Sequence, residues 1–322
     1  MTKPRRLLAA LALSVATALT ATSCTLFGTV AGPPEGVTTL AGWAEHELGP
    51  LPGVDRVEAS QYSVSIGAAE SSDGTAEDAA DLLDADLYSI DLDVVVDPQI
   101  TANEIAAVAL ATFAFSEAHA GEGTWAARVT IAGPETPDAD TDSVASEPLR
   151  VDVYPAAGDS VGETARAALE ATTIASVASV MVVGLPSIQV TDAADLGAAL
   201  DAVERLAFWT QGGNVGTVDG RVRLADVPEL ITGAGLHAII DAALAHPGAQ
   251  FWLEAANVGP RYPELYIDGV TADEAASIAA RFLDPAMASA TASAYVLEFN
   301  IRVSGAEGAV DTYGTFGGVP AP

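Results

Sequence analysis

The chain has 322 residues, a formal net charge of −31 and a hydrophobic content of 50%. A chain this acidic is not expected to bind nucleic acid, because contact with the phosphate backbone needs a basic surface. The same charge disfavours docking on anionic lipid head groups. Cys24 is the single cysteine, so no disulfide can form within the chain and packing has to stabilise the fold.

The N-terminus has the three parts of a secretory signal peptide. Lys3, Arg5 and Arg6 form a positive stretch, an uncharged apolar-leaning run follows over Leu7–Leu19, and small residues then lead to Cys24. The run is too short to span a bilayer, which needs about 20 residues. We therefore expect residues 1–23 to be removed, which makes the mature chain more acidic and leaves it without lysine.

The residues before the cysteine resemble a known processing motif. Ala21-Thr22-Ser23-Cys24 resembles the lipobox of bacterial lipoproteins, which usually reads Leu-Ala/Ser-Gly/Ala-Cys, with Ala21 in place of Leu. This resemblance implies cleavage after Ser23, a diacylglyceryl group on Cys24 and attachment to the extracytoplasmic face of the cell membrane. Ordinary secretion is the alternative. Residues 24–35 are expected to form a tether, and the lysine-free, alanine-rich mature composition is of an actinobacterial type.

From residue 36 onward, the sequence alternates between short helices and strands. Helices are predicted at Gly42–Leu48, after Thr101, at Ser160–Thr173, after Asp192, at Gly235–His246 and after Thr271. Strands are predicted at Tyr88–Val96, Trp125–Ile131, Leu149–Val153, Ser187–Val190, Leu265–Asp268 and Tyr295–Val303. Apolar and polar residues alternate along most of these strands, which indicates a half-buried, mostly antiparallel sheet with helices on one face.

Three of the predicted helices begin in a similar way directly after a strand. Thr101 with Glu104, and Thr271 with Glu274, have the Thr-x-x-Glu spacing of a capping box. Asp192 is suited to cap the third helix. The shared order of strand, cap and helix suggests internal duplication. Unrelated helices that share common capping chemistry are the alternative.

The order helix–strand–strand, repeated about six times, predicts an α+β fold of two or three ferredoxin-like units. The expected boundaries are 36–158 with an acidic insertion at 68–85, then 159–226, 227–316 and a tail at 317–322. The segment Gly53-Val54-Asp55-Arg56-Val57, which follows a helix, resembles the BON-type modules of bacterial envelope proteins. That resemblance implies a small α+β unit at a membrane or cell-wall surface.

Motifs of catalysis and of metal binding are not found in the sequence. It has no nucleophile elbow, no zinc-protease motif and no phosphate-binding loop, and the mature chain has no lysine for a Schiff base. His46, His119 and His246 are expected near helix C-termini, where a cation meets the negative end of the dipole. Asp138, Asp140 and Asp142 are spaced like calcium ligands, but Ser143 and Leu149 occupy the positions of the required Gly and Glu. We therefore predict no metal and no cofactor.

Four tryptophans could stack on a sugar, but their spacing in the predicted helices and strands favours the core. They are Trp43, Trp125, Trp209 and Trp252.

These observations predict a non-catalytic, membrane-anchored lipoprotein of the cell envelope that binds another protein or an envelope component. One alternative is a solute-binding lipoprotein with a ligand cleft between repeats. Another is a cell-wall hydrolase that uses a pair of carboxylates. The polar side of the predicted sheet is the candidate interaction face, formed by Asp91, Asp93, Arg128, Arg150, Asp152, Glu298 and Arg302.

Overall fold

A computed structural model describes most of the chain after the N-terminal segment. The described residues are 39–63, 88–120, 124–132, 148–153, 158, 160–227, 231, 233–254, 263–290, 296–303 and 310–318. The predicted signal peptide, Cys24, the tether, the acidic insertion and the carboxylates Asp138–Asp142 lie outside the described residues.

The helices and strands occur in a regular order. The helices are α1 Leu40–Leu48, α2 Ala102–Ala118, α3 Val161–Thr172, α4 Leu196–Val203, α5 Gly233–Ala245 and α6 Ala272–Phe282. The strands are β1 Val54–Ser63, β2 Tyr88–Val96, β3 Thr124–Ile131, β4 Leu149–Val153, β5 Val177–Val183, β6 Leu185–Val190, β7 Gly213–Thr217, β8 Val222–Val227, β9 Gln250–Glu254, β10 Glu264–Val270, β11 Glu298–Val303 and β12 Val310–Thr315. Short 3₁₀ turns lie at Ala193–Asp195, Ala207–Trp209, Pro285–Ser289 and Phe316–Gly318.

The twelve strands among the described residues belong to one sheet, and their order in the sheet is their order in the sequence. Each strand pair β1–β2, β3–β4 and so on is antiparallel. Each helix from α2 to α6 joins two neighbouring strands that run parallel. Strand direction therefore reverses in pairs across the sheet, and the order helix–strand–strand occurs six times. The prediction of a mixed helix-and-sheet fold is confirmed.

Two finer fold predictions are not met. A ferredoxin-like unit places another strand between the two strands that its helix connects, but here the connected strands are direct neighbours. The sheet has six antiparallel and five parallel pairings, so it is mixed rather than mostly antiparallel. The alternating pattern could not reveal this, because a parallel strand covered by helices on one face alternates just as an antiparallel strand does.

The sheet is continuous across the expected unit boundaries. β4 pairs with β5 across residue 158, and β8 pairs with β9 across residue 226. Each of the three expected units holds two helix–strand–strand repeats. Gly317 and Gly318, which were expected to begin the tail, belong to the last 3₁₀ turn.

The helices pack on one face of the sheet and bury its apolar side chains. In β2, Ile90, Leu92 and Val94 are fully buried, and Leu92 and Val94 lie in register with buried residues of β3 and β4. α2 and α3 lie very close together at Gly162, where an added Cβ would come within 2.9 Å of Leu110 Cγ and 3.2 Å of the Ala106 carbonyl oxygen. One core of buried residues extends from α1 to the last 3₁₀ turn.

The predicted helix caps are confirmed. The Thr101 side chain accepts a hydrogen bond from Glu104 N–H, and the Glu104 carboxylate accepts hydrogen bonds from the Thr101 hydroxyl and from Thr101 N–H. The bond from the hydroxyl, and then the bond from the backbone, lower the pKa of Glu104. Thr271 and Glu274 form the same capping box at α6. Asp192 accepts a hydrogen bond from Ala194 N–H at the 3₁₀ turn that leads into α4. These three caps follow β2, β6 and β10, so they occur at every second repeat.

The C-terminal part of the core is aromatic. The rings of Phe282 and Phe316 stack with centroids 4.4 Å apart, and Phe299 lies 5.6 Å and 6.0 Å from them. Gly314 pairs with Phe299 on the neighbouring strand. An added Cβ at Gly314 would clash with Phe299 Cζ, so the ring occupies the space that any other side chain would need.

Candidate functional site

The strand residues that point away from the helices form a second surface, which we call the outer face. In β2 these are Asp91 and Asp93, which alternate with the buried Ile90, Leu92 and Val94. The register carries this alternation from strand to strand, so the polar residues of neighbouring strands lie side by side.

All seven residues of the predicted interaction face lie on the outer face, but in two separate groups. Asp91, Asp93, Arg128, Arg150 and Asp152 lie on β2, β3 and β4, whereas Glu298 and Arg302 lie on β11. Seven strand spacings separate β4 from β11, which is roughly 35 Å at the usual distance between strands. The sequence therefore placed these residues on the correct side of the sheet, but the structure does not bring them into one site.

The first group forms internal ion pairs, and we call it the paired-charge region. Arg128 Nε lies 3.2 Å from Asp93 Oδ2, and Arg150 Nε donates to Asp152 Oδ1 at 2.9 Å. Thr130 Oγ1 donates to the other oxygen of Asp93 at 2.7 Å. The side chains are partly covered, with exposed fractions of 13% for Asp93 and 31% for Arg128. Opposite charges on this part of the surface thus satisfy one another.

A row of aromatic residues crosses the other end of the outer face. Trp252 pairs with Tyr266, Tyr266 with Asn300, and Asn300 with Tyr313, each on the next strand. The rings of Trp252 and Tyr266 stack with centroids 5.5 Å apart and an interplanar angle of 12°. Tyr313 is 64% exposed, more than any other large hydrophobic residue among those described.

Two carboxylates lie beside this row, two residues before Tyr266 and Asn300 on β10 and β11. Glu264 on β10 pairs with Glu298 on β11, and Tyr266 Oη donates to Glu264 Oε2 at 2.7 Å. Within the described part of the chain, neither carboxylate forms an ion pair with an arginine. Partial burial, and then the charge of Glu264, raise the pKa of Glu298 above its ordinary value. Among the described residues, these two groups are therefore like charges held together without a compensating base.

Two acceptor atoms on β11 and β12 lack a hydrogen-bond donor among the described residues. Asn300 Oδ1 and Asp311 Oδ1 are buried and have no hydrogen-bond partner, although Arg302 Nε lies 3.7 Å from Asp311 Oδ1. The other oxygen of Asp311 accepts a hydrogen bond from Tyr313 Oη at 2.9 Å, which raises the pKa of Tyr313. The surface formed by Trp252, Glu264, Tyr266, Glu298, Asn300, Asp311 and Tyr313 is called the aromatic–acidic region below.

A cavity of about 330 Å³ opens where β4 ends, between the start of α3 and the β5–β6 turn. Its wall combines apolar side chains with acidic and uncharged polar ones. The principal lining residues are Asp152, Glu163, Thr164, Pro186, Phe208 and Gln211.

The histidines occupy the expected helix ends. His46 lies in the last turn of α1, His119 is the C-terminal cap of α2, and His246 follows α5. His119 is buried and packs 4.4 Å from the Trp43 ring, which assigns it to the core. Across the described ranges, no three His, Cys, Asp or Glu side chains form a group that could hold a metal ion.

Of the aromatic–acidic region, only Glu298 was predicted from the sequence. Trp43 and Trp209 are buried as expected, but Trp252 lies on the outer face. The segment Phe251-Trp252-Leu253 is apolar throughout, so alternation could not decide which side of the sheet Trp252 occupies. Tyr266 and Tyr313 could have been found, because each alternates with inward-facing neighbours in its own strand.

Comparison with protein-family models, with curated proteins and with solved structures finds no match to this chain. Among the described helices, none is both long enough and apolar enough for a membrane crossing.

Proposed function

We propose that this chain is a non-catalytic lipoprotein of the bacterial cell envelope whose outer face binds another protein or an envelope component. A lipid on Cys24 would anchor it to the extracytoplasmic side of the membrane, as the resemblance of Ala21–Cys24 to a lipobox implies. The observation that carries the binding role is the aromatic–acidic region, where the exposed Tyr313 lies beside the stacked rings of Trp252 and Tyr266. Exposed tyrosine and tryptophan are enriched at protein interfaces.

The test of this proposal is photocrosslinking on intact cells. A photoreactive amino acid replaces Arg302 or Arg223 on the outer face, and Glu170 or Asp201 on the helices as matched exposed controls. A partner that crosslinks reproducibly from the outer face, and not from the controls, would support the proposal. Equal yields at all four positions, or no product at any of them, would refute it.

The anchor has a separate test. Replacing Cys24 with serine removes the thiol that the lipid needs, so the protein is expected to move from the membrane fraction to the medium. Retention of the Cys24→Ser protein in the membrane would contradict lipid anchoring.

We also propose that the chain arose by duplication of a double repeat, helix–strand–strand twice, in the units 36–158, 159–226 and 227–316. The support is the position of the caps, because Thr101, Asp192 and Thr271 each follow the second strand of a unit's first repeat. Such an arrangement would lengthen the outer face without any change in the local fold.

Solute binding is the second candidate function, and the cavity at the end of β4 favours it. A volume of about 330 Å³ is enough for a small metabolite. A metabolite screen that raises the melting temperature of the full chain, together with loss of the shift in a Phe208→Trp variant that fills the cavity, would support this alternative. A screen without any shift would count against it.

A further inference from the structure

We infer that the aromatic–acidic region binds a cationic protein segment, one that presents arginine or lysine side chains to β10 and β11. This inference rests on the proposed function and specifies the chemistry of the partner. Three independent features of the region support it.

The first feature is charge. Glu264 and Glu298 are register neighbours, and no described arginine pairs with either of them. In the paired-charge region, by contrast, Arg128 and Arg150 neutralise Asp93 and Asp152. Two adjacent carboxylates in a partly desolvated position repel one another, and an incoming cation would relieve that repulsion.

The second feature is the aromatic row. Arginine stacks its planar guanidinium on tyrosine and tryptophan rings, and this contact is stronger when the pair is shielded from water. Tyr313 offers an exposed ring, while Trp252 and Tyr266 are held in a fixed stack. Rings that are already ordered lose little side-chain entropy when a partner binds.

The third feature concerns hydrogen bonding. Two buried polar atoms of the region, Asn300 Oδ1 and Asp311 Oδ1, have no hydrogen-bond donor among the described residues, and both are acceptors. The carboxylates of Glu264 and Glu298 also only accept hydrogen bonds when they are ionised. Guanidinium and ammonium groups only donate hydrogen bonds. A glycan brings hydroxyl groups that donate and accept in similar numbers, so it matches this set less well.

The flanking arginines limit where the segment can lie. Arg223 pairs in register with Trp252 on one side, and Arg302 lies near Asp311 on the other. A cation is repelled by both of them. The segment is therefore expected to cross the outer face over Glu264 and Glu298, on the side of the aromatic row that faces away from Arg302.

The test measures binding of a fluorescein-labelled peptide, Gly-Arg-Gly-Arg-Gly-Arg-Gly, to the full chain in detergent at about 0.15 M salt, where weak surface attraction is screened. Replacing Glu264 and Glu298 with glutamine is expected to weaken binding about tenfold. Glu170→Gln with Asp201→Asn removes the same two charges from exposed positions on the helices, and this control should change binding less than about twofold. Tyr313→Leu is expected to weaken binding about threefold.

Equal weakening by the two double variants would mean that the peptide responds only to overall charge, and it would overturn the inference. So would unchanged binding by the Glu264/Glu298 variant, provided that its melting temperature shows a folded protein. Binding of a neutral chitin hexasaccharide to the region, without binding of the peptide, would also overturn the inference and would identify a glycan as the ligand instead. If outer-face crosslinking in cells succeeds while the peptide test fails, the docking function stands and only this inference is lost.

Discussion

The two ends of the outer face use the same sheet geometry in different ways. Around Asp93 and Arg128, charged side chains pair across strands, and a threonine completes the hydrogen bonding. Around Glu264 and Glu298, like charges adjoin one another beside an exposed tyrosine. The first arrangement stabilises the surface of the isolated protein, whereas the second costs stability there. Features that cost stability without a local benefit are typical of sites kept for a partner.

The largest effect is expected beneath the aromatic–acidic region. Phe299 is fully buried against Phe282 and Phe316, so Phe299→Ala should lower the free energy of unfolding by about 3–5 kcal/mol. Ile90→Val beneath the paired-charge region should cost about 1 kcal/mol. Urea denaturation measures both. If both variants lost a similar amount of stability, the packing of Phe299 would contribute no more than that of Ile90, and the expected difference between the two ends of the core would be wrong.

The next effect comes from breaking an ion pair at each end. Arg128→Met leaves the partly buried Asp93 with Thr130 as its remaining partner, so a loss of about 1–2 kcal/mol is expected. Arg302→Met breaks a contact of 3.7 Å whose arginine is 60% exposed, and the expected change is close to zero. Midpoints of chemical denaturation compare the two variants. If Arg302→Met lowered stability more than Arg128→Met, the proposal that ion pairs stabilise the paired-charge region more than the aromatic–acidic region would be wrong.

The two capping boxes provide an internal calibration. Thr101→Ala at α2 and Thr271→Ala at α6 remove the same hydrogen bonds at equivalent positions, and each should cost about 1 kcal/mol. Thermal and urea unfolding of the single and double variants would check this value. If the two substitutions lowered the free energy of unfolding by different amounts, identical changes would have different effects at the two ends of the sheet. The other pairs of variants could then not be compared directly.

The smallest effect is a pH dependence at Glu298. Its pKa is raised in the folded protein, first by burial and then by Glu264, so its charged form destabilises the fold. The parent protein should therefore become less stable, relative to a protein without this carboxylate, as the pH rises from the ordinary glutamate pKa, about 4.3, through the raised folded pKa. Glu298→Gln should therefore gain stability over the parent between about pH 4 and pH 7, by less than about 1 kcal/mol because water screens the carboxylate.

Unfolding curves of the Glu298→Gln variant and the parent at the two pH values provide the measurement. A constant difference between the two proteins, or one that shrinks as the pH rises, would contradict the raised pKa. Glu104→Gln is the reference variant, because the pKa of Glu104 is lowered by Thr101. That variant should be the less stable protein at pH 7, and the difference should shrink as the pH falls through the lowered folded pKa of Glu104.

Local features of the fold were predictable from the sequence. Tyr88–Val96 and Leu149–Val153 have the expected bounds, and the capping boxes at Thr101 and Thr271 form as expected, because alternation and capping depend on neighbouring residues. The order of strands in the sheet was not predictable, since a half-buried strand carries the same pattern whichever way its neighbour runs. For the same reason, alternation predicted the side of the sheet on which Asp93 and Glu298 lie, but not the distance between them.

The pairwise reversal of the strands also determines the handedness of the connections. Each connection through α2 to α6 moves one strand further toward the β12 edge, and all of these helices lie on the same side of the sheet. The two strands that a helix joins are parallel, but successive joined pairs run in opposite directions. The crossovers through α2, α4 and α6 must therefore have one hand, and those through α3 and α5 the opposite hand. About 98% of such crossovers in proteins are right-handed. Two or three of the five are thus left-handed, and side-chain packing such as that of Leu110 against Gly162 has to hold them against the preferred twist of the strands.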